Sequence, residues 1–182
     1  MEFEATRLPD VVLIRSRFSA DARGRLRETF RADQFAAAGL DQAFVQENLS
    51  VSRQGTLRGL HYQVRQAQGK LVMVLSGEIY DVAVDLRRSS ATFGRWVAMR
   101  LAADPPQSLW IPPGFAHGFY TLRDDTHVVY KLTDYYAPEW ERTIVWNDPQ
   151  LAIDWPLIGG QAPTLSGKDA AGARLPEAEV YP

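Results

Sequence analysis

The stretch KLVMVLSGEIYDVAVD, Lys70 to Asp85, holds two runs rich in aliphatic and β-branched residues, joined at Ser76-Gly77. Such runs suit a pleated, buried surface, and Ser-Gly between them is a tight-turn signal, so the stretch predicts a β-hairpin. Working outward, comparable short runs recur on both sides, separated by Gly, Pro, Asp and Ser. They are Val11–Arg15, Val45–Ser52, Leu57–Gln63, Trp96–Leu101, Ser108–Ile111, His117–Thr121, Thr126–Leu132 and Thr143–Trp146. One clear helix is expected at Arg31–Ala38, stopped by Gly39. Many short strands with one or two short helices predict an all-β barrel or sandwich rather than βαβ units.

The chain has 182 residues, 46% hydrophobic and 23% charged, which fits one globular domain spanning 1–182. From about residue 159 Gly, Pro and Ala dominate, and a less regular tail is expected there, with Leu165–Asp169 able to fold back over the barrel mouth. A net charge of -2 gives no reason to expect nucleic acid or an anionic membrane as a partner. There is no cysteine, which removes disulfides, thiolate nucleophiles and cysteine metal sites. The first residues, MEFEATRLPD, lack the basic-then-apolar pattern of a secretory signal, and no apolar run approaches the ~18 residues of a membrane span. A soluble, cytoplasmic protein is the expectation.

Only three histidines occur: His61, His117 and His127. Strand alternation in Thr126–Leu132 puts Thr126, Val128, Tyr130 and Leu132 inside and His127 outside. In Leu57–Gln63 the same rule groups His61 with Leu57 and Gly59, and sends Arg58 to the other face unless Gly59 makes a bulge. The five tryptophans read as core and dimer-contact residues.

The segment IPPGFAH (Ile111–His117) resembles the second motif of the cupins, in which a Pro-x-Gly-x-x-His turn delivers a histidine into a small barrel. At the place of the first motif stands His61-Tyr62-Gln63, with no glutamate following at ligand spacing. Two histidines and a glutamine, with Lys70 nearby, are poor ligands for a divalent cation, so no metal and no cofactor is expected. An imidazole without a metal suits general-base work near neutral pH. With Lys70 as a cation and Tyr130 as a phenol, the set matches proton abstraction beside a ketone.

The strings RGLHYQ (Arg58–Gln63), QGKLV (Gln68–Val72), GEIYDVAVDLR (Gly77–Arg87), SSATFGRW (Ser89–Trp96), WIPPGFAHGF (Trp110–Phe119), YKLTDYYAP (Tyr130–Pro138) and IVWNDP (Ile144–Pro149) together resemble the dTDP-4-dehydrorhamnose 3,5-epimerases. The likeness runs from DARG (Asp21–Gly24) to LSGKDA (Leu165–Ala170). It implies a homodimeric, metal-free cupin jelly roll that inverts C3 and C5 of dTDP-4-dehydro-6-deoxy-glucose, both next to the C4 ketone, on the route to dTDP-rhamnose. By position it implies His61 as base, Tyr130 as acid, Asp169 as the partner of His61 with Asp81 as the alternative, and Lys70 at the C4 oxygen. For binding it points to Arg23, Glu28, Gln46, Asn48, Arg58, His117, Glu141 and Lys168, and to an aromatic ring against thymine that the sequence does not single out.

Read without the likeness, Arg23, Glu28, Glu141, Lys168 and Asp169 are ordinary surface charges, and Tyr130 an ordinary core phenol. The chain departs from the family pattern at Leu26-Arg27, where aromatics are usual, at Glu47, and at Val128-Val129. The competing readings are a single-centre epimerase, a ketoisomerase on the same substrate, a metal-dependent cupin and a non-catalytic sugar-nucleotide binder.

Overall fold

Two antiparallel sheets face each other in the computed structural model, which describes all 182 residues. The first has six strands in the order β1 (Glu2–Ala5), β2 (Val12–Arg15), β10 (Gln107–Ile111), β7 (Lys70–Ser76), β12 (Thr126–Leu132) and β5 (Gln46–Ser52). The second has five, β13 (Glu141–Thr143), β6 (Leu57–Gln63), β11 (Phe115–Thr121), β8 (Glu78–Asp85) and β9 (Trp96–Ala102). A separate hairpin, β3 (Phe18–Asp21) and β4 (Gly24–Arg27), pairs only with itself. The fold is the cupin-like jelly roll that the strand spacing and the likeness predict.

The hydrophobic pattern dictates three layers of packing. Val72, Val74, Leu109 and Val128 from one sheet meet Ile79, Ala83, Val97 and Phe119 from the other to form the inter-sheet core. The alternate residues of the same strands point outward and are covered too. Leu71 and Trp110 pack under Phe35 of α1 (Ala32–Ala37). Leu57, Leu60, Val82 and Tyr120 pack under Leu151, Trp155 and Leu175. Covering both faces explains why Lys70–Val74 is buried at every position instead of alternating. Each of these aliphatic side chains is worth about 1.5–3 kcal/mol of burial.

The segment after residue 159 is therefore not a loose tail. Leu175 and Ala178 are part of a core, Tyr62 donates to the Glu179 carbonyl, and Tyr181 donates to the Gln63 carbonyl. Most of its Gly, Pro and Ala residues stay exposed, and the larger side chains Leu175, Tyr181 and Leu165 anchor it. The last candidate strand is also displaced: β13 ends at Thr143, and Ile144 continues as a single bridge to Ala173. Strands β1, β3 and β4, rich in charged residues and mostly exposed, carry no hydrophobic alternation that would have announced them.

One irregularity decides the site. In the β11–β6 pairing His117 sits opposite His61, but Phe119 sits opposite Arg58, so one extra residue is inserted in β6. The bulge is at Gly59, which has φ +128 and whose hydrogen faces Gly118 Cα and the His117 carbonyl so closely that a Cβ has no room. Leu57 and Leu60 consequently both face the outer core, while Arg58 and His61 both face inward. Unbroken alternation, which puts Arg58 on the face opposite His61 and groups His61 with Leu57, is overturned by this glycine.

Candidate active site

Between the sheets, at the end bounded by β13 and β5, lies a cavity of about 670 Å³. The five-stranded sheet contributes Arg58, His61 and His117; the six-stranded sheet contributes Gln46, Asn48, Lys70 and Tyr130. Glu141, Lys168 and Asp169 close one side. Ten of the twelve residues expected from the sequence thus share one cavity, drawn from six strands and one helix.

His61 is fixed by Asp169. Its Nε2 lies 2.5 Å from Asp169 Oδ1. Asp169 stands in α2 (Gly167–Ala170), whose cap Ser166 accepts the Asp169 backbone N–H at 3.1 Å. Burial pushes the Asp169 carboxyl up, but the hydrogen bond to His61 and the charges around it outweigh this and hold it below the usual carboxylate range. It is a carboxylate at neutral pH and accepts the Nε2 proton, which leaves Nδ1 as the basic nitrogen of His61. Asp81, the alternative partner, makes no hydrogen bond to His61. It is fully buried on β8 and bonds His117 Nε2 at 2.6 Å.

Lys70 is 6% exposed, and its ammonium has one contact, the Gln68 carbonyl at 3.5 Å. Burial lowers its pKa to about 8, opposed by the charge of Glu141. Tyr130 is on β12, two residues from Leu132, which pairs with Lys70, so phenol and ammonium come from one sheet and His61 from the other. Glu141 accepts from Lys168 Nζ at 2.7 Å and from the Tyr136 hydroxyl at 2.8 Å. Burial raises its carboxyl, and those two bonds more than reverse the shift. Arg58 donates through Nε to Ser52 Oγ at 3.1 Å and has no carboxylate partner, so its two terminal nitrogens are free for an anion.

Two expected residues lie elsewhere. Arg23 sits at the tip of the β3–β4 hairpin, 90% exposed and paired with Asp21 at 2.6 Å. Glu28 borders a shallow depression with Arg15 and Arg17. Neither reaches the cavity of its own chain. The structure also brings in Gln68, Phe119, Leu132, Tyr136 and Ser166. Strand parity with Tyr130 and His117 signals Leu132 and Phe119; nothing in the sequence separates Tyr136 from its neighbour Tyr135. His127 is on the outer face, bonded to Asp125, as parity requires. Gln63 turns away to the Gln66 and Tyr135 carbonyls, and no three or more His, Cys, Asp or Glu side chains converge as metal ligands would.

The family model for dTDP-4-dehydrorhamnose 3,5-epimerase matches residues 5–177. The chain belongs to that family. An epimerase of this name from Pseudomonas aeruginosa is 53% identical over 182 residues, covering 98% of this chain and 99% of its own. Among solved epimerases, the dTDP-6-deoxy-D-glucose-3,5-epimerase of Legionella pneumophila, in complex with dTDP-4-keto-L-rhamnose, superposes with a TM-score of 0.94 at 47% identity, covering 98% and 94% of the two chains. ChmJ of Streptomyces bikiniensis, described as a 3'-monoepimerase and solved with dTDP-quinovose, superposes at 0.89 and 33% identity, covering 95% and 87%. The epimerase fold therefore carries both double and single inversion.

Proposed function

We propose that the chain epimerises dTDP-4-dehydro-6-deoxy-D-glucose at C3 and C5, giving dTDP-4-dehydro-L-rhamnose for dTDP-rhamnose synthesis. The observation that carries this reading is the His61–Asp169 contact at 2.5 Å inside a cavity walled on the other side by Tyr130 and Lys70. His61 Nδ1 takes the proton from C3; the C–H pair becomes the C3–C4 double bond and the ketone π pair moves to O4. The Lys70 ammonium stabilises that enolate oxygen. Tyr130 then returns a proton to the opposite face of C3, the ketone reforms, and solvent restores both groups. The same sequence at C5 completes the reaction. No metal or organic cofactor has a part in these steps.

Arg58 and Lys168 suit the diphosphate, Gln46 and Asn48 suit sugar or base oxygens, and Tyr136, half exposed at the cavity edge, suits stacking on thymine. The test of the reaction is turnover of dTDP-4-dehydro-6-deoxy-glucose in D2O. Deuterium at both C3 and C5 of the product is the expected result; label at one carbon establishes a single-centre epimerase instead.

The working unit in this reading is a homodimer. Leu49 and Val51 are 59% and 51% exposed on the outer side of the edge strand β5, and Leu26 is 75% exposed on the hairpin. Exposed aliphatic side chains on an edge strand and a projecting hairpin suit docking on a second copy, which would also bring Arg23 and Glu28 to a cavity they do not reach in their own chain. Light scattering should give twice the 20.5 kDa chain mass; a single-chain mass at micromolar concentration rules the dimer out.

A further inference from the structure

The cavity contains a second histidine–carboxylate pair, built from the same atoms as the first but in different surroundings. His117 faces His61 directly across the β6–β11 register, and its Nε2 is 2.6 Å from Asp81 Oδ1. Both histidines therefore commit Nε2 to an aspartate, and both line the same space. His117 Nδ1 has no partner in the chain, and the ring lies against Phe119 at a centroid distance of 6.1 Å.

The two carboxylates differ in what surrounds them. Asp169 has the cap of α2 beneath it and Lys168 beside it, and it remains a carboxylate. Asp81 is 0% exposed, between Ile79 and Ala83 of the inter-sheet core. His117 is its sole hydrogen-bond partner, and Oδ2 is buried with none. A bare carboxylate there would carry an unsatisfied charged oxygen in apolar surroundings, which is among the costliest arrangements in a protein. Burial accordingly raises the Asp81 carboxyl, with His117 opposing. A pair with no net charge avoids that cost, and it holds two protons, one in the Nε2···Oδ1 contact and one on Nδ1. Whether the shared proton is drawn on nitrogen or oxygen, Nδ1 of the neutral pair carries hydrogen.

We infer that Asp81 is a positioning residue that keeps His117 as an Nδ1–H donor toward an oxygen of the bound sugar, while Asp169 keeps His61 as the Nδ1 acceptor. The target oxygen belongs to the sugar because His117 borders the same part of the cavity as the base, and this rests on the keto-sugar reading above. Two pairs of identical composition are thus set to opposite tautomers, and proton abstraction falls to one of them alone.

Long-range ¹H–¹⁵N correlation spectra of the full chain, labelled at histidine and recorded without ligand at pH 7.5, test the tautomers directly. His61→Asn and His117→Asn assign the signals. The expected pattern is a hydrogen-bearing Nδ1 on His117 and a bare Nδ1 on His61; a bare Nδ1 on His117 overturns the inference. The energetic test is Asp81→Leu, which keeps the branched shape of the side chain, with bulkier methyl groups in place of the oxygens. It should lower kcat/KM for the keto sugar about tenfold, the worth of one oriented hydrogen bond, and leave the Kd for dTDP within about threefold. Unchanged kcat/KM, or equal loss of dTDP binding, overturns the donor role. If wild-type protein does not exchange label into the keto sugar, the substrate reading fails, while the spectra still decide the tautomers.

Discussion

The imidazole of His61 and the carboxylate of Asp169, 108 residues apart in sequence, meet at 2.5 Å between Nε2 and Oδ1. The helix that delivers Asp169 is four residues long and held by Ser166, so its position depends on the packed C-terminal segment and not on helix propensity. Because the carboxylate fixes the tautomer of the base, Asp169→Ala should lower kcat by at least about a hundredfold while Kd for dTDP changes little. A loss under about fivefold would mean that His61 needs no such partner.

Tyr130 lines the cavity from the sheet opposite His61, and in the proposed mechanism it returns the proton and does not abstract it. Tyr130→Phe should therefore keep washing solvent deuterium into recovered substrate while formation of inverted product falls at least about tenfold further. Equal loss of exchange and inversion would place Tyr130 in binding or support.

In the proposed mechanism Lys70 gives the reaction a basic limit. Its pKa is lowered to about 8 by burial, so the ammonium that steadies the enolate is present at pH 7 and lost as pH rises through about 8. The kcat profile of the wild-type should fall above that point, and Lys70→Arg, which stays protonated, should remove the fall although its rate is lower. A wild-type profile flat from pH 7 to 9.5 contradicts the role. Stability moves the other way: between about 8 and the ordinary 10.5 the unfolded chain binds the extra proton, so this residue adds stability as pH rises through that window.

Gly59 is the residue that turns Arg58 into the cavity. Gly59→Ala would force a Cβ against Gly118 Cα and the His117 carbonyl at a φ that side chains rarely adopt. It should cost about 1–3 kcal/mol of stability and weaken dTDP binding together, by thermal unfolding and calorimetry. A variant with unchanged Tm and unchanged Kd would show that the bulge is not needed to present Arg58.

How far the sequence reached follows from where its signals are local. Thr126–Leu132 was legible because its buried positions alternate with partly exposed ones, which also placed Tyr130 and His127 by parity, and Leu57–Gln63 because it is buried at most positions. The bulge at Gly59 was not, since one glycine permits a bulge without requiring it. The order of the C-terminal segment was hidden because Gly, Pro and Ala dominate it, while the few larger residues that anchor it, Leu175 and Tyr181, are scattered and form no periodic pattern. The likeness ranks Asp169 ahead of Asp81 as partner of His61, whereas composition and spacing rank neither; in the structure Asp169 bonds His61 and Asp81 bonds His117. Arg23 and Glu28 reach the cavity only in the proposed dimer, and no pattern within one chain specifies such a partner.

The central claim is that His61 removes the proton beside the ketone. His61→Ala, incubated with dTDP-4-dehydro-6-deoxy-glucose in D2O and followed by NMR, tests it most directly. The account predicts no deuterium at C3 or C5 above the uncatalysed rate, with the Kd for dTDP within about threefold of wild-type. Continued exchange at either carbon in a variant that binds dTDP normally would contradict it.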